Sequence, residues 1–225
     1  MSDLPPEPER PRRDRLIALI VFLIGVGLLA AYAVNTLLFT EPEVAEPAGD
    51  AVVSESLSDG LADISITVEG VANGTILIDL FEDVAPLHAK RISMLADEGA
   101  YDGVVFHRVI EGFMAQTGDV EFGKMGQDMR MAGRGGSQYG DLPAEFSEIS
   151  FDRGIVGMAR SQSPDSANSQ FFIMFEPGPF LDGEYTVVGK VVDGMDVVDA
   201  IKLGEGSNGA VLGEPDVMKV VTTLK

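Results

Sequence analysis

The chain contains no cysteine, no tryptophan and only two histidines in 225 residues. Without cysteine it has neither a disulfide framework nor a thiolate nucleophile, and zinc sites of the cysteine type are excluded. Basic residues are also few, because 16 lysines and arginines face 36 acidic residues and leave a net charge of −20. Nucleic-acid binding requires clustered basic side chains, so we expect no nucleic-acid partner.

The remaining composition is that of a folded domain with an appendage. Hydrophobic residues make up 45% of the chain and charged residues 23%, which fits a globular core and argues against wholesale disorder. A length of 225 residues accommodates one ordinary domain and an additional segment. The acidity of the domain is a solubility feature that identifies no specific partner.

A long uncharged run predicts a membrane segment near the amino terminus. Residues 1–15 are rich in proline, glutamate and arginine, and we expect them to be disordered. Residues 16–39 contain no charged side chain. As a helix they would extend about 36 Å, enough to cross a hydrocarbon core of about 30 Å. Four arginines precede this run and no lysine or arginine follows it until Lys90. Because cationic flanks remain in the cytoplasm, we expect a single-pass segment whose amino end stays in the cytoplasm, with everything after Thr40 exported.

Two alternatives stay open for this segment. An uncleaved signal-anchor fits the length of the run, which exceeds the roughly 7 to 15 apolar residues of a signal peptide. The A-x-A form of residues 31–33 instead fits cleavage after Ala33. Residues 40–60 follow with six acids and no base, and they predict an extended linker that holds the domain away from the bilayer.

Short strands separated by glycine-rich loops dominate residues 61–225. Pro86 at a first helical position predicts a helix that runs to about Asp97 and stops at Gly99, and a second helix fits Met195–Ile201. Many antiparallel strands with two helices favour a mainly β, closed barrel, because closure removes exposed sheet edges. Hydrophobic alternation and turn residues predict strands over 64–68, 75–81, 104–109, 113–117, 155–159, 170–175, 187–192 and 217–224.

The stretch FHRVIEGFMAQTGD, residues 106–119, places one permanent cation among apolar side chains. Alternation puts Arg108 and Gln116 on one face if the register continues through the stretch. In an extended strand Phe113 and Met114 would point to opposite faces. A buried guanidinium is costly unless it is paired, and it cannot lose its proton. Spacing alone leaves two interpretations open: a solvent-facing arginine on a half-buried strand, or the wall of a functional site.

This stretch resembles the signature segment of the cyclophilins, the peptidyl-prolyl cis/trans isomerases, whose pattern is F-H-R-[VI]-[IV]-x-G-F-M-x-Q-x-G-D. Every fixed position of the pattern is present in residues 106–119. Three further segments, residues 133–146, 157–172 and 180–190, are similar to family segments and follow in the family's order. The resemblance covers roughly residues 62–225 and implies a closed eight-stranded antiparallel cyclophilin-like barrel with two capping helices.

The resemblance also implies roles for individual residues. Arg108 would donate to the prolyl nitrogen, and Gln116 would bond the substrate backbone nearby. Rotation about the prolyl C–N bond makes and breaks no bond to carbon, so no cofactor and no metal is expected. Core packing is the alternative role for each apolar member of the site. The family's pocket and groove positions are Phe113, Met114, Ala159, Arg160, Gln170, Phe172, Phe180, Leu181 and Tyr185.

The chain departs from the family pattern at three positions of the implied site. Phe180 replaces the family's tryptophan and lacks its indole donor, so we expect weak or no binding of cyclosporin-type ligands. Tyr185 replaces a histidine and retains a polar, partly apolar side chain. Arg160 replaces an asparagine, and its positive charge is expected to disfavour clients with a basic residue close before proline.

The sequence and the resemblance together predict a bacterial cyclophilin anchored in the inner membrane by a single pass, with its N-terminus in the cytoplasm and its catalytic domain in the periplasm. There it would accelerate the folding of exported, proline-containing polypeptides. A non-catalytic cyclophilin-like module or chaperone, which holds proline segments without turnover, is the alternative. Retention of Arg108 and Gln116 argues for the enzyme, because a pure binder needs no cation. Neither His88 nor His107 has an acidic partner at metal-ligand spacing in the sequence, so both are expected to be structural.

Overall fold

A computed structural model describes residues 60–224 of the chain. The segments predicted to be disordered, membrane-spanning and linking lie outside the described residues, apart from Gly60. Within the described part, no helix is long and apolar enough to cross a membrane.

The described residues form nine strands and two α-helices, and their bounds agree closely with the predicted ones. The helices are α1 (Pro86–Asp97) and α2 (Met195–Asp199), and two single-turn 3-10 helices span Met129–Met131 and Pro179–Leu181. The strands are β1 (Ile64–Glu69), β2 (Gly74–Leu80), β3 (Val104–Val105), β4 (Arg108–Ile110), β5 (Met114–Thr117), β6 (Ile155–Met158), β7 (Phe171–Met174), β8 (Val187–Asp193) and β9 (Val217–Thr223).

All nine strands belong to one antiparallel sheet with the order β3-β9-β1-β2-β8-β6-β7-β5-β4. The structure thus corrects the predicted closed eight-stranded barrel, because the terminal strands β3 and β4 pair with β9 and β5 rather than with each other. Thr117 on β5 approaches the other end of the sheet, where its hydroxyl donates to the carbonyl of Val105 at 2.9 Å.

The extra strand arises where the chain changes partner at residues 106 and 107. The amide of Phe106 donates to the carbonyl of Asp216 at 2.9 Å, and the carbonyl of His107 accepts from the amide of Val211 at 3.0 Å. These bonds satisfy backbone groups that a continuous strand would have directed to a sheet neighbour. The predicted strand over 104–109 is therefore two short strands joined by a connector of two residues.

Alternating apolar residues of the strands fill the interior of the sheet. On β1, Ile64, Ile66 and Val68 are buried, as their alternation with polar residues predicts. Helix α1 contributes Ile92 and Leu95 to the same core and packs against β8 and β9, whereas α2 contacts β2. A second, smaller apolar cluster lies beneath the candidate site and contains Phe81, Met114, Ile149, Phe151, Ile155, Phe172, Met174, Leu181 and Val187.

The amino end of α1 is capped by a distant side chain. The preceding residue, Ala85, makes no side-chain cap. Instead the carboxylate of Glu145 accepts hydrogen bonds from the amides of Leu87 and His88 at 3.1 Å and contacts Nδ1 of His88 at 2.6 Å. The amide of Glu145 in turn donates to Thr186 Oγ1 at 3.0 Å. Glu145 thus joins the loop of residues 133–146 to both α1 and the start of β8. A carboxylate is favourable at the amino end of a helix, where the helix dipole is positive.

Candidate active site

The hairpin formed by β4 and β5 brings the cation and the amide of the signature stretch together. Gly112, in the connecting turn, has a φ of +65°, a conformation that glycine adopts without a steric penalty. The register pairs Arg108 with Gln116 and Ile110 with Met114. Directly opposed residues of an antiparallel pair share a face, so all four side chains lie on the side away from Val109 and Ala115 of the main core.

Arg108 is half-buried and held in position by fixed acceptors. Its Nε donates to the carbonyl of Asn208 at 2.9 Å, and its Nη1 donates to Oε1 of Gln116 at 3.1 Å. Nη1 also lies 3.8 Å from the sulfur of Met114. Burial lowers the pKa of Arg108, and the electrostatic interaction with Tyr185 opposes that change. These contacts use two of the three guanidinium nitrogens, and Nη2 carries two further donors.

A loop far along the chain supplies the carbonyl that orients Arg108. Residues 205–211 run beside β4, where the amide of Val109 donates to the carbonyl of Gly209 at 2.8 Å. A Cβ atom on Gly209 would lie 2.4 Å from a side-chain carbon of Ile110 and 2.8 Å from the carbonyl oxygen of Val109. Only glycine permits this close approach, which places Asn208 against the guanidinium.

A chain of amides extends from Arg108 across the groove. Gln116 accepts from Arg108 and donates through Nε2 to Oε1 of Gln170 at 3.0 Å. Gln170 then donates to the carbonyl of Gly135 at 2.8 Å. Each amide accepts on one side and donates on the other, so the chain fixes the orientation of both side chains.

Next to Arg108 lies a cavity of about 470 Å³ with an apolar wall. Met114, Phe172 and Leu181 line it and are nearly fully buried, so they serve as core and wall at once. Phe180 stands at its rim with 68% of its surface exposed. The complete lining consists of Arg108, Phe113, Met114, Gln116, Ala159, Arg160, Phe172, Phe180, Leu181, Glu184 and Tyr185. Every site residue predicted from the sequence except Gln170 lines this cavity.

Phe113 and Met114 line the same cavity, because the extended strand in which they would point to opposite faces does not include Phe113. The reason is that Phe113 precedes β5 and belongs to the turn, where its amide donates to the carbonyl of Ile110 at 3.1 Å. The side chain turns towards Phe180, and the two rings lie 5.4 Å apart between centroids. A strand alternation rule does not extend into a turn.

A second cavity of about 540 Å³ adjoins the first and contains Gln170. The two cavities share Gln116, Ala159 and Arg160, which form the ridge between them. Glycines 133, 135 and 136 and the side chains of Asp141 and Asn168 line the far side of the second cavity. Together the two cavities form a groove with one apolar compartment and one polar compartment.

The two histidines lie outside this groove. Burial lowers the pKa of His107 to about 4, and the charge of nearby Asp119 opposes that change. His107 is therefore neutral at physiological pH. The acidic partner of His88 is Glu145, which the sequence prediction did not identify because the two residues are 57 positions apart. Among residues 60–224 no group of three or more potential ligands could hold a metal ion.

Two residues of the site, Asn208 and Glu184, were not predicted. Asn208 acts through its backbone carbonyl, and it lies 100 residues from Arg108. Glu184 belongs to the segment between Leu181 and Tyr185, and its carbonyl accepts two hydrogen bonds from Arg160. Backbone acceptors of this kind leave no signal in the residue types, so the sequence offered no means of finding them.

The geometry defines a groove in which an apolar compartment adjoins a fixed guanidinium and an amide. Comparisons with known proteins identify the class. Residues 63–223 match the family model described as cyclophilin type peptidyl-prolyl cis-trans isomerase. A Brucella suis protein named probable peptidyl-prolyl cis-trans isomerase is 62% identical over 150 residues, which are 65% of this chain and 76% of that protein.

More distant relatives agree. The peptidyl-prolyl cis-trans isomerase ppi1 of Schizosaccharomyces pombe is 42% identical over 130 residues, which are 55% of this chain and 76% of that protein. The crystal structure of a Cryptosporidium parvum cyclophilin type peptidyl-prolyl cis-trans isomerase superposes with a TM-score of 0.61 at 27% identity, over 73% of this chain and 98% of that one. The chain belongs to the cyclophilin family of peptidyl-prolyl cis-trans isomerases.

Proposed function

We propose that this isomerase stabilises the twisted X-Pro amide with Arg108 while the proline ring occupies the apolar cavity. The observation that carries the proposal is the position of the guanidinium, which is fixed by Asn208 and Gln116 at the edge of a cavity lined by Met114 and Leu181. A cation fixed beside this compartment is placed to meet the backbone of a proline whose ring fills it.

The chemistry explains why a single donor suffices. Rotation of a prolyl amide requires loss of the C–N partial double bond, with a barrier of about 18 to 20 kcal/mol. An increase from about 0.01 per second to about 1000 per second requires a barrier lower by roughly 7 kcal/mol. In the twisted state the nitrogen lone pair becomes localised and basic. A fixed donor that meets it binds the transition state better than the planar ground state.

The apolar wall supplies the grip on the proline ring. Phe113, Met114, Phe172 and Leu181 hold the ring, while the carbonyl of the preceding residue swings through the open side of the groove. Gln116 bonds the substrate backbone beside Arg108, and Gln170 holds Gln116 in that orientation. Ala159 and the backbone of Arg160 lie along the groove for the residues before proline.

A relative that was solved in the presence of a proline dipeptide supports this use of the groove. The Cryptosporidium parvum cyclophilin has also been solved in the presence of the dipeptide Ala-Pro, and that structure is 29% identical to this chain with a TM-score of 0.61. We propose proline-containing segments of unfolded or folding polypeptides as the substrates here. Because Phe180 offers no indole donor at the cavity rim, cyclosporin-type ligands are expected to bind weakly or not at all.

We also propose that the enzyme works on exported proteins from an anchor in the bacterial inner membrane. The uncharged run at 16–39 and the arginines before it support this location, as does the acidic linker at 40–60. The test is the mature mass of the protein recovered from membranes. An intact mass supports the signal-anchor, a mass that begins after Ala33 supports a cleaved signal, and recovery from the cytosol contradicts export.

An isomerisation assay on the full chain tests the catalytic proposal against simple binding. We expect cis/trans exchange of a proline tetrapeptide to be far faster with the chain than in buffer. A chain that binds the peptide without raising the exchange rate would instead be a proline-segment binding module or chaperone.

A further inference from the structure

Arg160 borders both cavities, yet its guanidinium is turned into the protein. The side chain is 13% exposed. Its Nε and Nη2 donate to the carbonyl of Glu184 at 3.1 and 2.9 Å, and its Nη1 donates to the carbonyls of Ser161 and Gln162 at 3.0 and 3.4 Å. All three guanidinium nitrogens are therefore engaged by the protein itself.

The guanidinium also packs on an aromatic ring of the cavity wall. Its central carbon lies 4.4 Å from the centroid of the Tyr185 ring, a distance typical of a cation–π contact. The rings of Tyr185 and Phe172 pack edge to face, with their centroids 5.9 Å apart and their planes at 81°. Tyr185 thus contacts both the cation and the buried wall of the proline cavity, which is the cavity beside Arg108 proposed to hold the proline ring.

The segment that Arg160 holds carries three residues of that wall. Residues 180–185 include Phe180, Leu181 and Tyr185. They continue the 3-10 turn Pro179–Leu181 into a second turn, in which the amides of Glu184 and Tyr185 donate to the carbonyl of Leu181 at 3.0 and 3.1 Å. Gly183 in this segment has a φ of +69°. Arg160 lies two residues after the end of β6, and β6 is fixed between β7 and β8. The forked pair of bonds to Glu184 therefore ties this loop to the rigid sheet.

We propose that Arg160 is a positioning residue that holds residues 180–185 in place as the wall of the proline cavity. This inference rests on the proposed function of that cavity. The carboxylate of Glu184 lies 3.7 Å from Nη2 of Arg160, so the pair carries little net charge towards a peptide. On this proposal Arg160 acts through the loop, whereas the sequence predicts that its charge disfavours basic clients, and the two differ in their effect on matched basic and acidic peptides.

The test is a comparison of kcat and KM for the full chain and Arg160→Ala with two matched peptides, Lys-Ala-Pro and Glu-Ala-Pro. A wall that is correctly placed only part of the time reduces the apparent affinity by that fraction, so KM should rise about tenfold for both peptides. Because Arg108 is untouched, kcat should stay within about threefold of wild type. Arg160→Lys, which has no planar fork, should give an intermediate KM.

Amide hydrogen exchange provides a readout that does not depend on activity. In Arg160→Ala the amides of residues 181–186 should exchange faster than in wild type, whereas those of β6 should not change. Arg130→Ala is the matched control, because Arg130 is 88% exposed and pairs only within its own turn with Asp128 among the described bonds. It should change neither KM nor exchange.

Three results would overturn the proposal. An unchanged KM with unchanged exchange means that the loop needs no clamp. A KM that rises for the acidic peptide and falls for the basic one means that Arg160 contacts substrate by charge. A large fall in kcat alone assigns Arg160 to the chemical step. If Arg160→Ala does not fold, Arg160→Lys carries the same comparison. Failure of the wild-type chain to accelerate cis/trans exchange of the peptides would instead refute the proposed function.

Discussion

Replacing Arg108 by alanine removes the donor that the proposed mechanism requires. Loss of one fixed donor aimed at developing charge typically costs about a hundredfold to a thousandfold in rate. We therefore expect kcat/KM of Arg108→Ala to fall by about that factor. Arg108→Lys keeps the charge, but an ammonium group cannot bond Asn208 and Gln116 at once through a planar fork. It should retain more activity than alanine and less than one tenth of the wild-type value.

The effect on stability should be small enough to separate from the effect on rate. Arg108 makes hydrogen bonds at 2.9 and 3.1 Å from a half-buried position, and each is worth about 1 kcal/mol net. The alanine variant should therefore lose about 1 to 2 kcal/mol and remain folded, because water reaches the vacated acceptors.

The assay is cis/trans relaxation of a proline tetrapeptide with the full chain, beside urea unfolding of each variant. Arg130→Ala serves as the control, since it removes an arginine that is 88% exposed. The reasoning is refuted if folded Arg108→Ala retains more than a third of the wild-type kcat/KM. Arginine remains protonated in proteins, so activity should also be flat between about pH 6 and 9 even though burial lowers the pKa of Arg108.

Four other substitutions test different parts of the structure. His107 has a folded pKa of about 4, below its unfolded value of about 6.5, so the unfolded chain takes the proton first as the pH falls. Between pH 7 and 4.5 the wild type should lose about 2 to 3 kcal/mol more stability than His107→Gln in urea unfolding. Equal losses would contradict the lowered pKa of His107. A Cβ on Gly157 would lie 2.5 Å from ring atoms of both Phe151 and Phe172. Gly157→Ala should therefore cost about 1 to 3 kcal/mol and raise KM, whereas Gly189→Ala, which crowds a backbone carbonyl of β2, should lower stability without raising KM. Phe180→Trp restores an indole at the exposed rim, and calorimetry should detect tighter cyclosporin binding with kcat/KM within about threefold of wild type; unchanged affinity would show that the indole donor is not what is missing.

Local patterns predicted most of the fold because they record local physics. Pro86 and Gly99 bound helix α1 at positions where their backbone preferences apply, and the helix spans Pro86–Asp97. Alternation placed Arg108 and Gln116 on one face, and the register of the β4–β5 hairpin pairs them directly. The strand bounds differ from the predicted ones by at most about two residues elsewhere, apart from the predicted strand over 104–109.

That exception depends on contacts between distant parts of the chain. Val104 and Val105 pair with β9, which is more than a hundred residues away, while Arg108 pairs with β5 across a tight turn. The apolar pattern of residues 104–109 is the same whether their backbone hydrogen bonds go to one neighbouring strand or to two. Strand count and closure of the sheet were therefore not determined by the pattern.

The candidate site likewise has parts that the sequence predicted and parts that depend on contacts between distant residues. The resemblance assigned the apolar wall, and Phe113, Met114, Phe172 and Leu181 do line one cavity. The support around the wall comes from backbone carbonyls of Asn208 and Glu184, and any residue type supplies such an acceptor. From its residue type alone Arg160 was expected to act as a charge at the groove. Its bonds to the carbonyl of Glu184 instead support the proposal that it holds residues 180–185 in place.

A crystal structure of the full chain with a short Ala-Pro peptide tests the central claim most directly. We predict that the proline ring lies in the cavity between Phe113 and Leu181, with the guanidinium of Arg108 within hydrogen-bonding distance of the prolyl nitrogen. A proline bound elsewhere, or an Arg108 side chain directed away from a peptide in this cavity, would contradict the proposed mechanism.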